Sequence, residues 1–377
     1  MKFGHRRFVL GALAIVIACM TPLASAAELA EPPQQTPPMA DDVFNNVQVL
    51  TGLTVDEFWN TMGMFASALT KDCVDCHVIG ALENWDAFAE ETDQIRIARS
   101  MIRMVDDLNN AQFGGVQRVT CFTCHRATSI PEAAPDLTLQ YGLVENPNAM
   151  TLYPTPLAPP VEEVFDTYIE AIGGAEAVES IESVVIRGTY AGFETGHIDT
   201  PFELYAQAPD RRARIFYKTS GDHYRVYDGQ NGWNSNPDMP VPLIPLSGGN
   251  LYGDRIGAIL SFPARIQENF SRWVVSFVFV GEETFTVVQG LQGNERPVNF
   301  YFEESGLLTK VLYWTDTAVG PVTTMIEYSD YREVDGVMVP FFWSESWTTG
   351  MITSQLTDVE FNLPIDAARF NEPPPAF

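Results

Sequence analysis

The amino-acid sequence predicts an α+β protein, in which a mostly helical region precedes a region of antiparallel β-strands. Three observations predict this architecture. Apolar side chains in residues 41–141 recur at helical spacing, those after residue 161 alternate with polar ones, and residues 142–160 between them are rich in proline. A chain of 377 residues is also long enough for about two domains.

The N-terminus has the features of an export signal peptide. It begins with basic residues, continues with the apolar stretch Phe8–Met20, and reaches the small-residue cleavage site Ala24–Ala26. The predicted segments are the signal peptide at 1–26, a Pro-rich tether at 27–40, the helical region at 41–141, a Pro-rich linker at 142–160 and the β region at 161–371. These features predict a periplasmic protein.

Cys19 has two interpretations. Val16–Cys19 resembles a lipobox, in which the cysteine is acylated and anchors a lipoprotein to a membrane. Alternatively, Cys19 is a small apolar residue in a discarded signal. The protein is expected to work outside the cytoplasm in both cases.

Two copies of the pentapeptide Cys-x-x-Cys-His dominate the helical region. They are residues Cys73–His77 and Cys121–His125, and they contain four of the five cysteines in the chain. In this motif the thiols attach haem covalently and the histidine ligates the iron. The sequence therefore predicts two covalently bound haem c groups, with thioethers at four cysteines and two proximal iron ligands: Cys73, Cys76, Cys121, Cys124, His77 and His125.

A four-cysteine zinc site is the alternative, because zinc ribbons also contain two Cys-x-x-Cys pairs. Two features favour haem. The gap between Cys76 and Cys121 is long for a zinc ribbon, and zinc does not require a histidine after each pair.

Each haem iron also needs a sixth ligand. The remaining histidines, His5, His197 and His223, lie in the signal segment or in the β region. Methionines on the helices before the motifs are therefore the better candidates, since methionine opposite histidine is a common pair of ligands in cytochromes c.

The first of these helices is predicted by a capping box of Thr54 and Glu57. Its apolar stripe contains Val55, Phe58, Met62, Phe65 and Leu69. Met64 lies about 200° around the helix from Met62 and so leaves the stripe. We predict Met62 as the sixth ligand of the first haem.

The second helix has the stripe Ile97, Met101, Met104 and Leu108, and Gly114 and Gly115 interrupt the chain before the second motif. Met101 and Met104 are about 60° apart on the helix. Helical geometry therefore leaves both as candidates for the sixth ligand of the second haem.

The helical region resembles the cytochrome c subunit of the photosynthetic reaction centre. The resemblance includes, in order, Asn46–Leu50, Glu57-Phe58 with Met62, Ala98-Arg99 with Met101 and Met104, and Val119–Arg126. It implies that a helix methionine before each motif is an axial ligand, which points to Met62 and Met101. It also implies a periplasmic electron carrier, often lipid-anchored, that re-reduces a photo-oxidised pigment pair in a membrane-bound complex.

The chain departs from that family in two ways. The best-known members carry four haems, whereas this chain has motifs for two and a β region in place of the second pair. Ala127 also follows Arg126 where the family tends to have glycine. The resemblance thus implies dihaem electron transfer, which can serve electron chains other than photosynthesis.

The β region is predicted to begin with two helices, Val161–Ile172 and Ala175–Ile181, followed by about nine to eleven strands. Such a run predicts an antiparallel sheet curved around the helices. It is similar to the half-barrel of periplasmic lipoprotein carriers of the LolA/LolB type. The resemblance rests on this architecture and on short segments such as Tyr328–Tyr331 and Val334–Gly336. That resemblance implies an apolar cavity for acyl chains and hence a lipid in the β domain.

Two groups of side chains in the β region have plain structural interpretations. The tryptophans at 233, 273, 314, 343 and 347 are predicted to fill the core. The basic cluster of Arg211, Arg212 and Arg214 is predicted to form a solvated edge.

The leading functional hypothesis is an electron carrier and not an enzyme. The formal net charge of −27 disfavours nucleic acid as a partner and suits encounter with a basic redox protein. The alternatives are a dihaem peroxidase-type enzyme, and a lipid- or quinone-binding β domain with a redox module.

Overall fold

The computed structural model describes residues 36–135, 137 and 146–376. The predicted signal peptide, Cys19 and most of the tether lie outside the described residues. From Pro37 onward the chain forms one compact unit, which contains both the haem motifs and the strands. The predicted domain boundaries stay predictions. Within the described ranges, every helix is too short or too polar to cross a membrane.

Helices make up the N-terminal part of the described chain. The α-helices are α1 (Ala40–Val43), α2 (Val55–Leu69), α3 (Cys73–Cys76), α4 (Asp93–Phe113) and α5 (Cys121–His125). Two 3-10 helices, Ile79–Leu82 and Trp85–Ala89, connect α3 to α4.

Helix α2 begins, and helix α4 ends, at the predicted signals. Thr54 Oγ1 accepts a hydrogen bond from Glu57 N at 3.1 Å, and the Glu57 carboxylate accepts one from Thr54 N at 3.0 Å. The predicted capping box is therefore confirmed. Helix α4 ends at Gly114, whose φ of 61° lies in the left-handed region that favours glycine.

The C-terminal part is a large antiparallel sheet. Its strands are β1 (Ser183–Gly192), β2 (Thr200–Gln207), β3 (Arg211–Lys218), β4 (Gly221–Tyr227), β5 (Gly232–Ser235), β6 (Leu243–Pro245), β7 (Arg272–Val280), β8 (Glu283–Leu291), β9 (Val298–Phe302), β10 (Leu308–Thr317), β11 (Gly320–Val334), β12 (Val337–Trp347) and β13 (Gly350–Phe361). The order across the sheet is β6-β5-β4-β3-β2-β1-β13-β12-β11-β10-β9-β8-β7. Strands β6 and β7 are the edges, so the sheet is open.

The prediction of an antiparallel sheet after the helices is confirmed, but the described residues contain 13 strands, more than expected. The shortest ones, β5 and β6, have four and three residues. Such short segments cannot show an alternating pattern. They are strands because they pair with β4 and with each other at the edge of the sheet.

Three further helices cover one face of the sheet, which we call the inner face. They are α6 (Val161–Ala171), α7 (Ala175–Glu179) and α8 (Gly248–Leu260). The main core lies between these helices and the sheet, where Phe165 and Ile256 pack with Phe300 and Val311 of the sheet. Apolar side chains at alternate strand positions supply this core.

Helix α8 was not predicted, because four glycines obscure its helical pattern. Gly249, Gly253 and Gly257 follow one another at four-residue spacing on one side of α8. A Cβ at Gly249 would overlap Thr315 and Asp316, and one at Gly257 would overlap Arg212. The glycines therefore allow α8 to approach the sheet closely, which is a tertiary requirement.

The N-terminal helices pack directly on the β region. Met64 of α2 and Ile102 of α4 share a hydrophobic cluster with Val319 and Val322. Gln117 Nε2 also donates a hydrogen bond to the Ala318 carbonyl at 2.8 Å.

Candidate functional site

The first haem motif forms the single helical turn α3. The carboxylate of Asp72 caps this turn, accepting hydrogen bonds from Val74 N and Asp75 N at 3.0 and 3.1 Å. Cys73 is an exposed thiol and Cys76 a half-buried one. Because they are three residues apart on one turn, the two thiols lie on the same face.

The imidazole of His77 is oriented by a backbone carbonyl. Its Nδ1 lies 2.9 Å from the Phe88 carbonyl oxygen, and the Phe88 ring packs against it at 4.9 Å between centroids. Burial lowers the pKa of His77, which favours the neutral ring. When Nδ1–H donates to a carbonyl, the Nε2 lone pair is free, as in metal-ligating histidines.

The second motif, α5, has the same arrangement. His125 Nδ1 lies 3.0 Å from the Thr128 carbonyl oxygen. Cys121 is half-buried and Cys124 is exposed. Both motifs therefore fit a covalently attached haem, because each places two accessible thiols beside an imidazole with a free Nε2.

The residues after the second motif adopt the left-handed conformation. The φ angles of Arg126 and Ala127 are 49° and 63°. Ala127 is held there by two hydrogen bonds, from its N–H to the Ala68 carbonyl at 3.0 Å and from Thr70 Oγ1 to its own carbonyl at 2.6 Å. This geometry gives a physical reason for glycine at this position, since only glycine has a positive φ without steric cost.

We expect Ala127→Gly to stabilise the protein by up to about 1 kcal/mol, because glycine relieves the left-handed strain. Chemical denaturation of the two proteins measures the difference. Ala66→Gly, inside α2, is the control and should destabilise by about 1 kcal/mol. A loss of stability in Ala127→Gly would contradict the strain argument.

The four motif cysteines do not converge on one point. Across residues 36–135, 137 and 146–376, no group of three or more Cys, His, Asp or Glu side chains is placed to hold a metal ion. The structure therefore offers no geometric support for the four-cysteine zinc alternative.

Helix α4 has a second apolar face that is largely exposed among the described residues. Its buried residues are Ile102, Val105 and Asn109. The predicted stripe lies elsewhere on the helix, with exposures of 60% for Ile97, 40% for Met101, 50% for Met104 and 39% for Leu108. Such an exposed apolar stripe is a candidate binding surface.

Helix α2 separates its two methionines. Met64 is buried in the cluster with Val319 and Val322, where its methyl group approaches Gly320. Met62 is half-buried at the edge of this cluster. The roles of Met62, Met101 and Met104 as sixth ligands remain predictions.

The two motifs are attached to opposite ends of helix α4 by separate contacts. Thr92 Oγ1, at the start of α4, donates to the Cys76 carbonyl at 2.6 Å. The buried Asn109 of α4 donates to the Val119 carbonyl and accepts from Arg118 N and Val119 N. These bonds position each Cys-x-x-Cys-His segment independently of the other.

A buried carboxyl group links α2 to the β region. The Asp56 carboxylate accepts hydrogen bonds from Ser247 N and from Asn250 Nδ2, both at 2.8 Å. Burial raises the pKa of Asp56 to about 6, although both hydrogen bonds oppose the shift. Sequence patterns missed this residue, because an acidic residue in the first turn of a helix is ordinary.

The raised pKa of Asp56 makes stability depend on pH. The folded state binds the Asp56 proton more tightly than the unfolded state does. Protonation of Asp56 therefore contributes to folding stability below about pH 4, and this contribution is lost as the pH rises through about 6. The side chain at position 56 cannot ionise in the Asp56→Asn variant. As the pH rises from about 4 to about 7, we therefore expect the free energy of unfolding of Asp56→Asn to increase by up to about 3 kcal/mol relative to that of the natural protein. Urea denaturation at several pH values measures this difference. The exposed Asp42→Asn is the control, and a pH-independent difference for Asp56→Asn would refute the expectation.

A cavity of about 410 Å³ lies between the inner face of the sheet and helices α2, α6 and α8. Its apolar lining includes Ile186, Leu204, Phe216, Ile326, Tyr328 and Trp343. Trp59, Asn60 and Gly63 of α2 line it as well, so the haem-motif region forms part of its wall. Trp343 and Trp347 also line the cavity. The prediction that the tryptophans fill the core is wrong for Trp347, which is 37% exposed because it lies at the end of β12.

Buried charges form one wall of the cavity. Arg225 Nε donates to both oxygens of Asp254 at 3.0 and 2.7 Å, and Arg214 Nη1 donates to Glu345 at 3.0 Å. Burial lowers the pKa of Arg212 to about 10. The prediction that residues 211–214 form a solvated edge is therefore wrong for Arg212 and Arg214 and fits only Arg211. Alternation on β3 turns these two arginines to the inner face.

The carboxylate of Glu345 had a detectable sequence signal. It stands between Trp343 and Trp347 at alternate positions of β12, so a charge falls within an otherwise aromatic pattern. Asp254 had no such signal, because its helix was not predicted.

His223 also lines the cavity. Its Nε2 lies 2.7 Å from Asn234 Oδ1, while its buried Nδ1 has no hydrogen-bond partner among the described residues. Burial lowers the pKa of His223 to about 3, so the ring is neutral and adds no charge to the wall.

Comparison with known proteins finds two separate resemblances, one for the N-terminal region and one for the β region. The C-terminal fold is similar to a LolA superfamily protein from Nitrosomonas europaea, with a TM-score of 0.38 and 11% identity, covering 56% of this chain and 97% of that one. Residues 15–138 match the family model of the photosynthetic reaction centre cytochrome C subunit.

Curated relatives agree with that family match. The photosynthetic reaction center cytochrome c subunit of Roseobacter denitrificans is 30% identical over 39% of this chain and 42% of its own length. That of Thermochromatium tepidum is 34% identical over 26% of this chain and 24% of its own length. The chain thus spans less than half of each relative. The expected resemblance is confirmed: the N-terminal region of this chain is similar to the photosynthetic reaction centre cytochrome c subunits.

Proposed function

We propose that this protein is a dihaem c-type cytochrome that carries electrons in the cell envelope. One observation carries the proposal: each Cys-x-x-Cys-His segment has accessible thiols and a histidine whose Nδ1 is hydrogen-bonded to a carbonyl. The family match over residues 15–138 supports it.

The chain's own residues would hold and tune the two groups. Cys73 and Cys76 would attach the first haem, and Cys121 and Cys124 the second. His77 and His125 would ligate the iron through Nε2, because the Phe88 and Thr128 carbonyls hold Nδ1. Each bound haem supplies one-electron transfer, and a methionine opposite histidine raises its reduction potential.

Met62 and Met101 are the proposed sixth ligands, with Met104 as the alternative to Met101. Helix α2 turns Met64 into the protein and leaves Met62 half-buried. Helix α4 exposes both of its candidates beside Ile97 and Leu108. A haem on this face would cover apolar surface that otherwise contacts water.

We place the protein in the periplasm, with an acylated Cys19 as a membrane anchor if the lipobox is used. Its partner would be a redox protein or a membrane-bound electron-transfer complex such as a reaction centre. The net charge of −27 favours a partner with a basic docking surface.

Intact mass of the protein purified from its native membrane tests the proposal. The expected mass includes two haems, and it also reports the cleavage site and any acylation. Ferric spectra should show low-spin haem with the weak far-red absorbance of methionine ligation. A colourless protein, or zinc on the cysteines, would refute it. High-spin spectra with rapid carbon monoxide binding and peroxide turnover would favour the peroxidase alternative.

Met62→Leu is expected to remove about half of the far-red absorbance, since one of two haems would lose its thioether ligand. Leucine nearly conserves the side-chain volume, so folding should be little affected. Met64→Leu is the matched control on the same helix and should leave the spectrum unchanged. Loss of the band in the control instead of in Met62→Leu would reverse the assignment.

The cavity favours a second function, the binding of an apolar molecule by the β region. Its volume of about 410 Å³ falls within the usual range of small-molecule sites, and its lining is mostly apolar. Native mass spectrometry of the protein from its own membrane should reveal a co-purified lipid or quinone. A protein that is empty and takes up neither on addition would exclude this function.

A further inference from the structure

Arg212 is a charged side chain without a partner on the cavity wall. Its guanidinium lines the cavity, and its buried Nε has no hydrogen-bond partner. In the part of the chain that the structure describes, no ion pair reaches this side chain either. Its Nη1 lies against the backbone of α8 at Gly257, where a Cβ would overlap it.

The carboxylates on the same wall already form ion pairs with other arginines. Asp254 accepts both of its bonds from Arg225, and Glu345 accepts from Arg214. Three arginines line this wall beside two carboxylates, and the ion pairs of Arg214 and Arg225 leave Arg212 without a hydrogen-bonded carboxylate. Asp56, which interacts with Arg225 across the α2 contact, accepts hydrogen bonds from Ser247 and Asn250 instead.

Among the described residues, the other titratable groups at the cavity form no ion pair with Arg212. Glu194 at the rim is exposed and pairs with Lys218 at 2.8 Å. His223, Tyr313 and Tyr328 are neutral at physiological pH, because burial lowers the pKa of the histidine and raises those of the tyrosines. The remaining lining is mostly apolar, with some amide and hydroxyl groups such as those of Asn60 and Thr315.

An unpaired buried charge is costly, and replacing it with an apolar side chain is often neutral or stabilising. The unpartnered Nε of Arg212 is therefore costly in the ligand-free protein. A ligand with one negative charge would remove this cost, and its apolar body would contact Ile186, Leu204 and Ile326 on the same wall.

We propose that the cavity binds an amphiphile with a single carboxylate head and an apolar body, and that Arg212 pairs with the carboxylate. The proposal rests on the second function above, the binding of an apolar molecule, and adds the headgroup and the residue that recognises it.

Isothermal titration of the delipidated, haem-loaded full chain tests the proposal, with dodecanoate and 1-dodecanol as probes. Dodecanoate should bind about tenfold or more tightly than dodecanol, because only its carboxylate forms a charge-assisted hydrogen bond with the guanidinium. Arg212→Met should remove that preference and leave dodecanol binding unchanged. Arg211→Met, the exposed neighbour, is the matched control and should behave like the natural protein.

The outcomes separate the two proposals. Equal binding of dodecanoate and dodecanol by the natural protein would overturn the role of Arg212 while keeping the apolar cavity, and this comparison needs no variant. Binding of neither probe would overturn both. Equal losses in Arg211→Met and Arg212→Met would overturn recognition by Arg212 in favour of general attraction. Ligand-free Arg212→Met should unfold at a temperature no lower than the natural protein, and marked destabilisation would contradict the unpaired charge.

Discussion

Replacing Cys73 and Cys76 with alanine is expected to give a protein that carries one haem instead of two. The remaining haem should be attached normally, because the second motif is positioned by contacts that the first does not share. Asn109 holds residues 118 and 119, and Ala68 and Thr70 hold Ala127. Intact mass and the haem-to-protein ratio from the pyridine haemochrome spectrum measure the result.

The reciprocal variant, Cys121→Ala with Cys124→Ala, is the matched control. It should also retain one haem, while the variant with all four replacements should retain none. If both double variants lose both haems, the two motifs are not independent units. If either keeps two, its thiols are not the attachment points.

Replacing Asp254 with alanine is expected to destabilise the folded protein by about 3–5 kcal/mol. Asp254 is 6% exposed and accepts two short bonds from Arg225 Nε. Its removal takes away the carboxylate that is hydrogen-bonded to Arg225 and leaves this guanidinium only the more distant charges of Asp56 and Glu345, which is the main cost. Chemical denaturation monitored by tryptophan fluorescence measures the change in the free energy of unfolding.

Asp316→Ala is the control for this experiment. Asp316 also pairs with an arginine, Arg296, at 2.6 Å, but its side chain is 58% exposed. Its loss should cost less than about 1 kcal/mol, because water screens exposed ion pairs. Similar losses for the two variants would mean that Asp254 is not in a dry environment.

Most of the fold class could be predicted from local patterns. The capping box at Thr54 and the glycine at position 114 are short-range signals, and both mark real helix ends. Strand alternation identified the antiparallel sheet but missed β6, which has only three residues. Sequence patterns did not predict helix α8. Its glycines Gly249, Gly253 and Gly257 lie close to side chains and backbone of the sheet, and a local pattern contains no information about such contacts.

The candidate haem site and the cavity differ in how far local sequence predicts them. The Cys-x-x-Cys-His segments are contiguous, so their chemistry is evident from spacing, and the structure adds the carbonyls of Phe88 and Thr128. The cavity is assembled from residues far apart in the chain. Arg212 and Glu345 are 133 positions apart in the chain, and they line the same cavity only because the sheet packs on α8.

Covalent spacing and periodicity therefore suffice to predict haem attachment and the change from helices to strands, since these properties act over a few residues. The pairing of Arg214 and Arg225 with carboxylates, the isolation of Arg212 and the burial of Asp56 arise from packing between distant segments. Their energies come from removing charges from water, and which charges are removed depends on the folded arrangement alone.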